Sequence, residues 1–332
     1  MALARAFSEV MLVNGSTGDP ALYLDYPGQD NAFLFDAGEN GRLDTAHLAD
    51  LEAVFLTHHH VDHFIGFDRI VRANMDKDKV LNVFGPQGTI DKIYDRIKSY
   101  DYQFFPFQKI TLRITELLQG VKREAYLECT RRFPTPEVRE LPWEGRVIYN
   151  NAHLQIEAVA VDHTTNCYAY ALAEKTGYHP DPEKLRNGLM RPANWVQEVL
   201  QRLRDGAPLT ETIQISQGTY TLGDLAEQYF GQSPGARVVY ITDTFWSDAI
   251  KPALIDISRG AWRLYCDSYY AAAQAKAAAT HRHMMAHQAA ELAKLAKVQE
   301  LVLIHFSPRY VGKYAQLVEE AKAVFPRVSA EF

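Results

Sequence analysis

The stretch VFLTHHHVDHFIGF, residues 54–67, contains four of the chain's twelve histidines within six positions. The apolar residues at its start predict a buried strand, and α/β folds place their functional sites where strands end. His58 and His60 alternate, so both can face one way from an extended segment, whereas Asp62 and His63 can face a second position as the chain turns. Clustered imidazoles without a ligand would repel one another or remain unsatisfied. The stretch therefore predicts a metal site.

Three later residues have the same position relative to a predicted strand. His163 follows IEAVAVD, Asp243 ends VVYITD and His305 ends ELVLIH. Each alone has an ordinary reading as a polar residue that terminates a strand. One loop cannot complete the shells of two metals, so these three are the candidates for the remaining ligands. His59 lies between two inferred ligands, and we expect it to support them or to face solvent.

The composition excludes several classes of protein. The chain has 332 residues, of which 47% are hydrophobic, and a formal net charge of -6. This charge gives no overall attraction to nucleic acid, although a local basic patch can still bind it. Cys129, Cys167 and Cys266 form no CxxC pair, which favours reduced thiols and a cytoplasmic protein. The residues 1–15 are expected to form a strand rather than a signal peptide, and no apolar segment is long enough to span a membrane.

Periodicity predicts the order of the elements. Short apolar or alternating runs predict mainly strands in the first third, and strands alternate with helices in the last third. The segment 101–144 has a less regular pattern. The pattern as a whole predicts an α/β protein with sheets covered by helices on their outer faces. We expect one domain over residues 1–332, with the more polar residues 177–235 forming an excursion or lid.

Seven motifs, in order over nearly the whole chain, resemble those of the metallo-β-lactamase superfamily and of its ribonuclease Z-like branch. They are DAGE (36–39), THHHVDHFIGF (57–67), VFGPQG (83–88), VDHTTNCYAYAL (161–172), YITDT (240–244), HRHMMAHQAAELAKLA (281–296) and LVLIHFSPRY (301–310). The resemblance implies an αββα four-layer sandwich. It also implies a hydrolase that uses a metal-bridging hydroxide to attack an ester.

The resemblance further implies two zinc ions per chain. The first would be held by His58, His60 and His163, the second by Asp62, His63 and His305, with Asp243 bridging both. Imidazole and carboxylate ligands suit zinc. A flavodiiron-type redox centre would carry an acidic residue in place of His60, although manganese and iron stay open as alternatives. Asp62 would also orient the nucleophile or accept its proton.

A general acid is needed to protonate the leaving oxygen. The resemblance assigns this role to His283, paired with Asp267, where the branch usually has glutamate. The alternative is that His283 only caps or packs at the start of a helix. Met285 stands where the branch often has threonine. His281 and His287 are expected to be surface residues of the same segment.

Other candidates have weaker support. Ser307 and Arg309 could meet an anionic substrate, although Arg309 could equally brace the final turn. Cys167 is expected to be a buried strand residue rather than a ligand. A basic group near two aromatic residues could bind RNA, although a solvated basic face is the more common reading; its members are Lys122, Arg123, Arg131 and Arg132, with Tyr126 and Phe133.

The predicted substrate is a phosphodiester, in first place RNA such as precursor tRNA. Val61 and Asp68 replace the glycine and proline that are usual in the branch, so the tRNA assignment is weaker than the chemistry. The alternative is a small ester, such as a cyclic nucleotide, a sulfate ester or a lactone, in a pocket lined by SYDYQFFPF (99–107). A third hypothesis is a zinc-binding scaffold without turnover. The resemblance also suggests a homodimer.

Overall fold

The computed structural model describes residues 9–26, 31–233 and 235–332. Backbone contacts divide them into two compact units. The larger comprises residues 9–26, 31–147, 157–171 and 238–332, and the smaller comprises 148–156, 172–233 and 235–237. The predicted strand near the amino terminus is present as Glu9–Leu12, and the first eight residues of that prediction lie outside the described residues.

The first sheet of the described residues has eight strands in sequence order. The strands are β1 (Glu9–Leu12), β2 (Leu22–Tyr26), β3 (Asn31–Phe35), β4 (Leu51–Phe55), β5 (Val80–Pro86), β6 (Thr111–Leu118), β7 (Val121–Glu128) and β8 (Arg139–Pro142). The central strands β3, β4, β5 and β6 run parallel, and the outer pairs are antiparallel. The carboxyl ends of β3 and β4 therefore meet at one edge of this sheet.

A second sheet has seven strands in the order β19-β18-β17-β16-β11-β10-β9. These are β9 (Val147–Asn150), β10 (Leu154–Val161), β11 (Cys167–Glu174), β16 (Arg237–Ile241), β17 (Arg263–Asp267), β18 (Glu300–Ile304) and β19 (Val328–Ser329). The last four are parallel to one another. The smaller unit adds two antiparallel strand pairs, β12 (Gly177–Pro180) with β15 (Phe230–Ser233) and the hairpin of β13 (Thr212–Ile215) with β14 (Gly218–Thr221).

Eleven α-helices occur in the described part of the chain. They are α1 (Thr45–Ala49), α2 (Val61–Phe64), α3 (Phe67–Asn74), α4 (Thr89–Lys98), α5 (Pro182–Asn187), α6 (Trp195–Arg204), α7 (Leu222–Tyr229), α8 (Lys251–Ser258), α9 (Ala275–His281), α10 (Ala286–Leu295) and α11 (Ala315–Lys322). Among these helices, none combines the length and the apolar character that crossing a lipid bilayer requires.

The alternation of side chains along the strands produces the layers of the larger unit. In β3, Ala32 and Leu34 pack with α1, α3 and α4 in a core on one face. Phe33 and Phe35 face the other way, and the ring of Phe35 lies 5.9 Å from that of Tyr170 on the second sheet. A second core lies between the second sheet and α8, α10 and α11. The order helices, sheet, sheet, helices is the predicted αββα sandwich, and the α/β fold class is confirmed.

The segment 101–144 is more regular than its sequence pattern predicts. It contains the β6–β7 hairpin, in which polar residues break the expected alternation. Glu116 is buried because its carboxylate accepts hydrogen bonds from the backbone N–H groups of Gly88 and Ile90 at the start of α4. Glu124 is buried beside Arg113. These carboxylates are buried because the folded chain gives them partners. The sequence does not show these partners, and the strand pattern therefore looks irregular in this segment.

The smaller unit has its own apolar core. Trp195, Val199 and Leu203 of α6 pack against Leu222 and Leu225 of α7, together with residues of the β13–β14 hairpin. The residues of α6 lie three or four apart, which is the spacing of one helix face. The predicted excursion 177–235 therefore falls within a segment that folds around buried side chains.

Candidate metal centre

Strand ends from both sheets of the larger unit converge on one cluster. Its members are His58, His60, Asp62 and His63 after β4, His163 after β10, Asp243 after β16, Asp267 at the end of β17, His305 after β18, and His283 between α9 and α10. All seven sequence-predicted ligands are in it. The ligand atoms of His58, His60, His163 and Asp243 lie within 4.8 Å of one another, and so do those of Asp62, His63 and His305.

The two oxygens of Asp243 face different sets of histidines. Oδ2 lies 3.4 Å from Nε2 of His58 and 3.4 Å from Nε2 of His163. Oδ1 lies 2.9 Å from Nδ1 of His305 and 3.5 Å from Nε2 of His63. Asp62 joins the second set, with Oδ2 at 3.3 Å from Nε2 of His305. One carboxylate thus separates two groups of ligand atoms, which is the arrangement that a bridging ligand needs.

The nitrogens that face Asp243 are buried, and none of them makes a well-aligned hydrogen bond with the described residues. They are Nε2 of His58, His63 and His163 and Nδ1 of His305. Buried polar atoms normally have a partner, and an unpartnered group calls for a specific explanation, such as an ion. The donor set of imidazole and carboxylate matches zinc and similar divalent metals. The residues present therefore fit the metals that the sequence predicts.

The opposite ring nitrogen has a partner in all four histidines: in His305 it is the proposed ligand Asp62, at 3.3 Å, and in the other three it lies outside the ligand set. Nδ1 of His58 lies 3.0 Å from Oγ1 of Thr57, and Nδ1 of His63 lies 2.8 Å from Oδ2 of Asp36. Nδ1 of His163 donates to the backbone carbonyl of Arg282 at 3.1 Å. Partners of this kind set the ring orientation and the tautomer of a metal-binding histidine. They leave Nε2 free to bind a metal.

The histidines of the two ligand sets also differ in the direction in which their pKa values are shifted. Burial, reinforced by His63, lowers the pKa of His58 to about 2, so this ring is neutral at any ordinary pH. Burial also lowers the pKa of His63, but the carboxylates of Asp243 and Asp36 outweigh it and raise that pKa to about 10. The pKa of His305 likewise lies well above its usual value, because Asp243 outweighs burial. In the metal-free protein, His63 and His305 each hold a proton that a metal must displace.

His63 and His305 are therefore expected to release about two protons per chain when metal binds at pH 7, because ligands must be deprotonated, and a metal-activated hydroxide would add about one more. The affinity should rise with pH below the pKa of His63, by up to about tenfold per unit for each displaced proton. Calorimetric titration of the metal-free protein in two buffers of different protonation enthalpy measures the proton number. A binding enthalpy that does not depend on the buffer would contradict this assignment of charge.

Asp36 supports the cluster, although the sequence assigned it only to a motif. Its buried carboxylate accepts hydrogen bonds from the backbone N–H and Oγ1 of Thr57, at 2.7 Å and 2.9 Å, and from Tyr240 at 3.1 Å. It also holds Nδ1 of His63. The available signal was an aspartate directly after the apolar run AFLF, as in the case of Asp243.

Replacing Asp36 by asparagine is expected to lower the metal affinity about 10–100-fold, as is usual for partners of metal-binding histidines. The amide keeps the size of the side chain but loses the charge that fixes His63. Competition with a chromogenic chelator measures the dissociation constant of the metal. Asp248→Asn is the matched control, since its side chain is 98% exposed. Equal metal affinities in the two variants would show that Asp36 does not support the metal-binding histidines.

Backbone strain marks the same strand ends. Asp36, Asp243 and His305 all have positive φ, at 58°, 47° and 60°. Non-glycine residues seldom adopt this conformation, although aspartate and histidine do so more readily than most. Strained backbone persists where the surroundings over-determine it, and it clusters at functional sites. Three such residues around one cluster indicate that the fold holds these side chains at some energetic cost.

His283 and Asp267 lie beside the cluster as a pair. Oδ2 of Asp267 lies 3.0 Å from Nδ1 of His283, and a carboxylate only accepts, so the proton of this contact belongs to Nδ1. The same oxygen accepts from the backbone N–H groups of Met284 and Thr244. The ring of Tyr269 stacks on His283, with centroids 4.3 Å apart. The carboxylate of Asp267, one methylene shorter than the usual glutamate, therefore still reaches its histidine.

Arg282 connects the segment of His283 to the loop of His163. Its guanidinium pairs with both oxygens of Asp162, at 2.8 Å and 2.9 Å, while its carbonyl accepts from His163. Arg282 has positive φ, at 58°, and is exposed. Sequence reasoning did not single out either member of this pair, because an exposed arginine and an aspartate 120 positions apart give no local signal.

The remaining residues that the sequence singled out contact neighbouring side chains. Nε2 of His59 lies 2.8 Å from Oγ1 of Thr89, which ties the loop to the start of α4. Cys167 is buried in β11 behind His58, and burial raises the pKa of its thiol well above the usual range. Arg309 lies over the ring of Tyr270 and donates to Gln274. These contacts support a bracing role for Arg309, one of the two roles that the sequence left open.

The basic group on and after β7 is largely engaged with neighbours. Arg123 pairs with Glu140 at 2.8 Å, and Arg131 lies 3.5 Å from Glu128. Arg132 lies over the ring of Phe104. The group therefore resembles a solvated, charge-paired face more than a free basic patch.

The aromatic segment 99–107 lines a cleft of about 950 Å³ together with residues of α1 and α3. The lining includes Asp68, Arg72, Tyr100, Tyr102 and Phe105 and none of the clustered histidines. The sequence suggested this segment as the wall of a substrate pocket. The cleft that it lines is distinct from the metal-binding cluster.

Comparison with known proteins places this geometry in a family. A family model described as "Beta-lactamase superfamily domain" matches residues 31–185. The ribonuclease Z of Deinococcus radiodurans is 30% identical over 330 residues, covering 92% of this chain and 96% of that protein. The chain belongs to the ribonuclease Z-like branch of the metallo-β-lactamase superfamily. The predicted family is confirmed, and with it a metal-dependent hydrolase that acts on ester bonds.

Solved structures show the same fold. The metallo-β-lactamase fold protein YhfI from Bacillus subtilis aligns with a TM-score of 0.57 at 17% identity, covering 96% of this chain and 93% of that one. The short form of human tRNase Z aligns with a TM-score of 0.52 at 17% identity, covering 90% and 92%. At 17% identity, the likeness to these two structures shows a shared metallo-β-lactamase fold.

Proposed function

We propose that this ribonuclease Z-like hydrolase is a phosphodiesterase that works with two zinc ions. The observation that carries the proposal is the carboxylate of Asp243 between two sets of buried nitrogens that lack a well-aligned hydrogen bond. His58, His60 and His163 would hold one ion, and Asp62, His63 and His305 the other. Bound there, two zinc ions would supply a metal-bridging hydroxide at neutral pH and stabilise charge on the reacting oxygens.

The chain's own residues have three further tasks in this proposal. Asp62, whose side chain is 38% exposed, can accept a proton from the nucleophile at the open side of the site. His283 donates a proton to the leaving oxygen, and Asp267 keeps the other ring proton on Nδ1. Tyr269 covers one face of the imidazole and limits its rotation. The reaction is the hydrolysis of a phosphodiester, in which one P–O bond forms to water and one breaks.

RNA is the proposed substrate, by analogy with the relatives named ribonuclease Z. A specific observation keeps a small ester as the second candidate. The smaller unit has seven basic and eight acidic side chains over residues 172–237, so it offers no net positive charge to a phosphate backbone. Two members of the basic group near β7, Arg123 and Arg131, are paired with carboxylates as well.

A panel of substrates tests the chemistry and the substrate separately. Rates of hydrolysis are compared for bis-p-nitrophenyl phosphate, a sulfate ester and a lactone, and they rank the three reaction classes. The metal content of the same preparation is measured as well. We expect phosphodiester cleavage and about two ions per chain. Precursor tRNA then decides the biological substrate. An enzyme that cleaves the model phosphodiester but leaves the tRNA trailer intact acts on a smaller ester, and a protein with no bound metal excludes the whole proposal.

Two further features belong to the proposal. The family resemblance suggests a homodimer, which light scattering on the purified protein would detect. All three cysteines are buried free thiols, which is compatible with a reducing, cytoplasmic environment.

A further inference from the structure

The helix α2 carries Asp62 and His63 but consists of only four residues, Val61–Phe64. So short a helix is not stable by itself, and its last carbonyl groups have no partner within the helix. It has no side-chain cap at its start. Its position must therefore come from contacts with other elements.

One side of α2 is held by the loop after β3. The backbone N–H of Ala37 donates to the carbonyl of His63, and the N–H of Gly66 donates to the carbonyl of Ala37. Nδ2 of Asn40 donates to the carbonyl of Gly66. These contacts fix the inner side of the turn between α2 and α3.

The carboxyl end of α2 is held by Arg96, in the last turn of α4. Nη1 of Arg96 donates to the carbonyl of Phe64 at 3.0 Å, and Nη2 donates to the carbonyl of Ile65 at 3.2 Å. The guanidinium also lies 4.7 Å from the centre of the Phe64 ring. One arginine thus supplies partners for the last carbonyl group of the short helix and for that of the residue that caps it.

Asp68 and Tyr100 hold this arginine in place. Nε of Arg96 donates to Oδ1 of Asp68 at 2.7 Å, and the hydroxyl of Tyr100 donates to Oδ2 at 2.7 Å. The side chains of Arg96 and Asp68 are only 21% and 33% exposed. Asp68 is the residue that replaces the proline usual in the branch, and a proline could not accept either bond.

We propose that Arg96 is a positioning residue for the Asp62 side of the metal centre, held by Asp68 and Tyr100. The inference rests on the proposed two-metal function. Asp62 and His63 lie on α2, whereas His58 and His60 precede it and His163 comes from another loop. Loss of Arg96 should therefore disturb one metal position and spare the other. Sites of this kind need their ligands within about 0.5 Å of the productive geometry.

Titration of the metal-free protein with Co²⁺, followed by its visible absorption, tests this inference. Arg96→Met keeps the apolar stem and removes the donors. We expect one of the two binding constants to fall about 10–100-fold, as for other residues that orient ligands, while the other stays unchanged. Arg96→Lys, with fewer and differently placed donors, should recover part of the loss. Asp68→Asn should show a smaller decrease in the same constant.

Arg123→Met is the matched control, because Arg123 also pairs with a carboxylate in the larger unit, and that carboxylate, Glu140, belongs to β8. Unchanged constants in Arg96→Met, with two ions bound by the wild type, overturn the role of Arg96 and leave the proposed function intact. Fewer than two ions in the wild type overturn the proposed function itself. An equal fall in both constants, with a lower unfolding midpoint in chelator, shows that Arg96 supports the fold generally and also overturns the inference.

Discussion

Replacing His283 by alanine is expected to lower kcat for a phosphodiester about 10²–10⁴-fold, the usual contribution of a general acid. The metal content should not change, because Nδ1 of His283 is committed to Asp267 and the seven proposed ligands remain. The loss should be smaller for a substrate with a good leaving group, such as p-nitrophenolate, than for one with an alkoxide leaving group. That difference separates proton donation from a merely structural role.

His281→Ala is the control for this experiment. His281 lies two residues away, at the exposed end of α9, and its substitution should leave kcat unchanged. His283 also lies close enough to Asp243 and His305 for its ring nitrogen to reach a metal. If His283→Ala loses one ion along with its activity, His283 is a ligand and the assignment as general acid is wrong.

Replacing Asp243 by asparagine is expected to lower kcat about 10³–10⁴-fold, which corresponds to the several kcal/mol of charge stabilisation that bound metals provide. The carboxylate is buried and faces both sets of nitrogens, so its loss affects both metal positions. Metal analysis after dialysis should find less than two ions per chain. Circular dichroism should show an intact fold, since an asparagine occupies the same volume.

Asp248→Asn serves again as the exposed control for this substitution. Added zinc or manganese should restore part of the activity of Asp243→Asn if weakened binding is the only defect. A variant that keeps two ions and most of its activity would show that Asp243 does not bridge the metals. The proposed division of ligands around this carboxylate would then be wrong.

Local patterns were enough to predict the candidate ligands, and the family resemblance supplied their division between two metals. The loop after β4 and the later candidates His163, Asp243 and His305 all come where an apolar run ends, and α/β folds place their sites at strand ends. The sequence could therefore group residues as far apart as His58 and His305. The αββα fold was predicted in the same way, with the family resemblance supplying the order of the layers.

Supporting residues were harder to find, because their roles depend on contacts between distant elements. Asp36 had a strand-end signal that was not used, whereas Arg96 and Arg282 had none. Of their partners, Asp68 was noted only as a replacement for the usual proline, and Asp162 had no signal of its own. The hairpin β6–β7 was missed for the same reason, since Glu116 and Glu124 are polar residues whose burial depends on tertiary partners.

The sequence by itself determined the chemistry of this protein: the histidines and aspartates at strand ends, the family, and the class of reaction that such ligands support. Only the tertiary structure decided how these side chains are held and charged. Asp243 faces two sets of nitrogens because strands from two sheets end together. His58 is neutral and His63 charged because burial and neighbouring carboxylates act differently on two identical imidazoles. Burial and electrostatic fields arise from the packed fold, so residue identity alone cannot specify them.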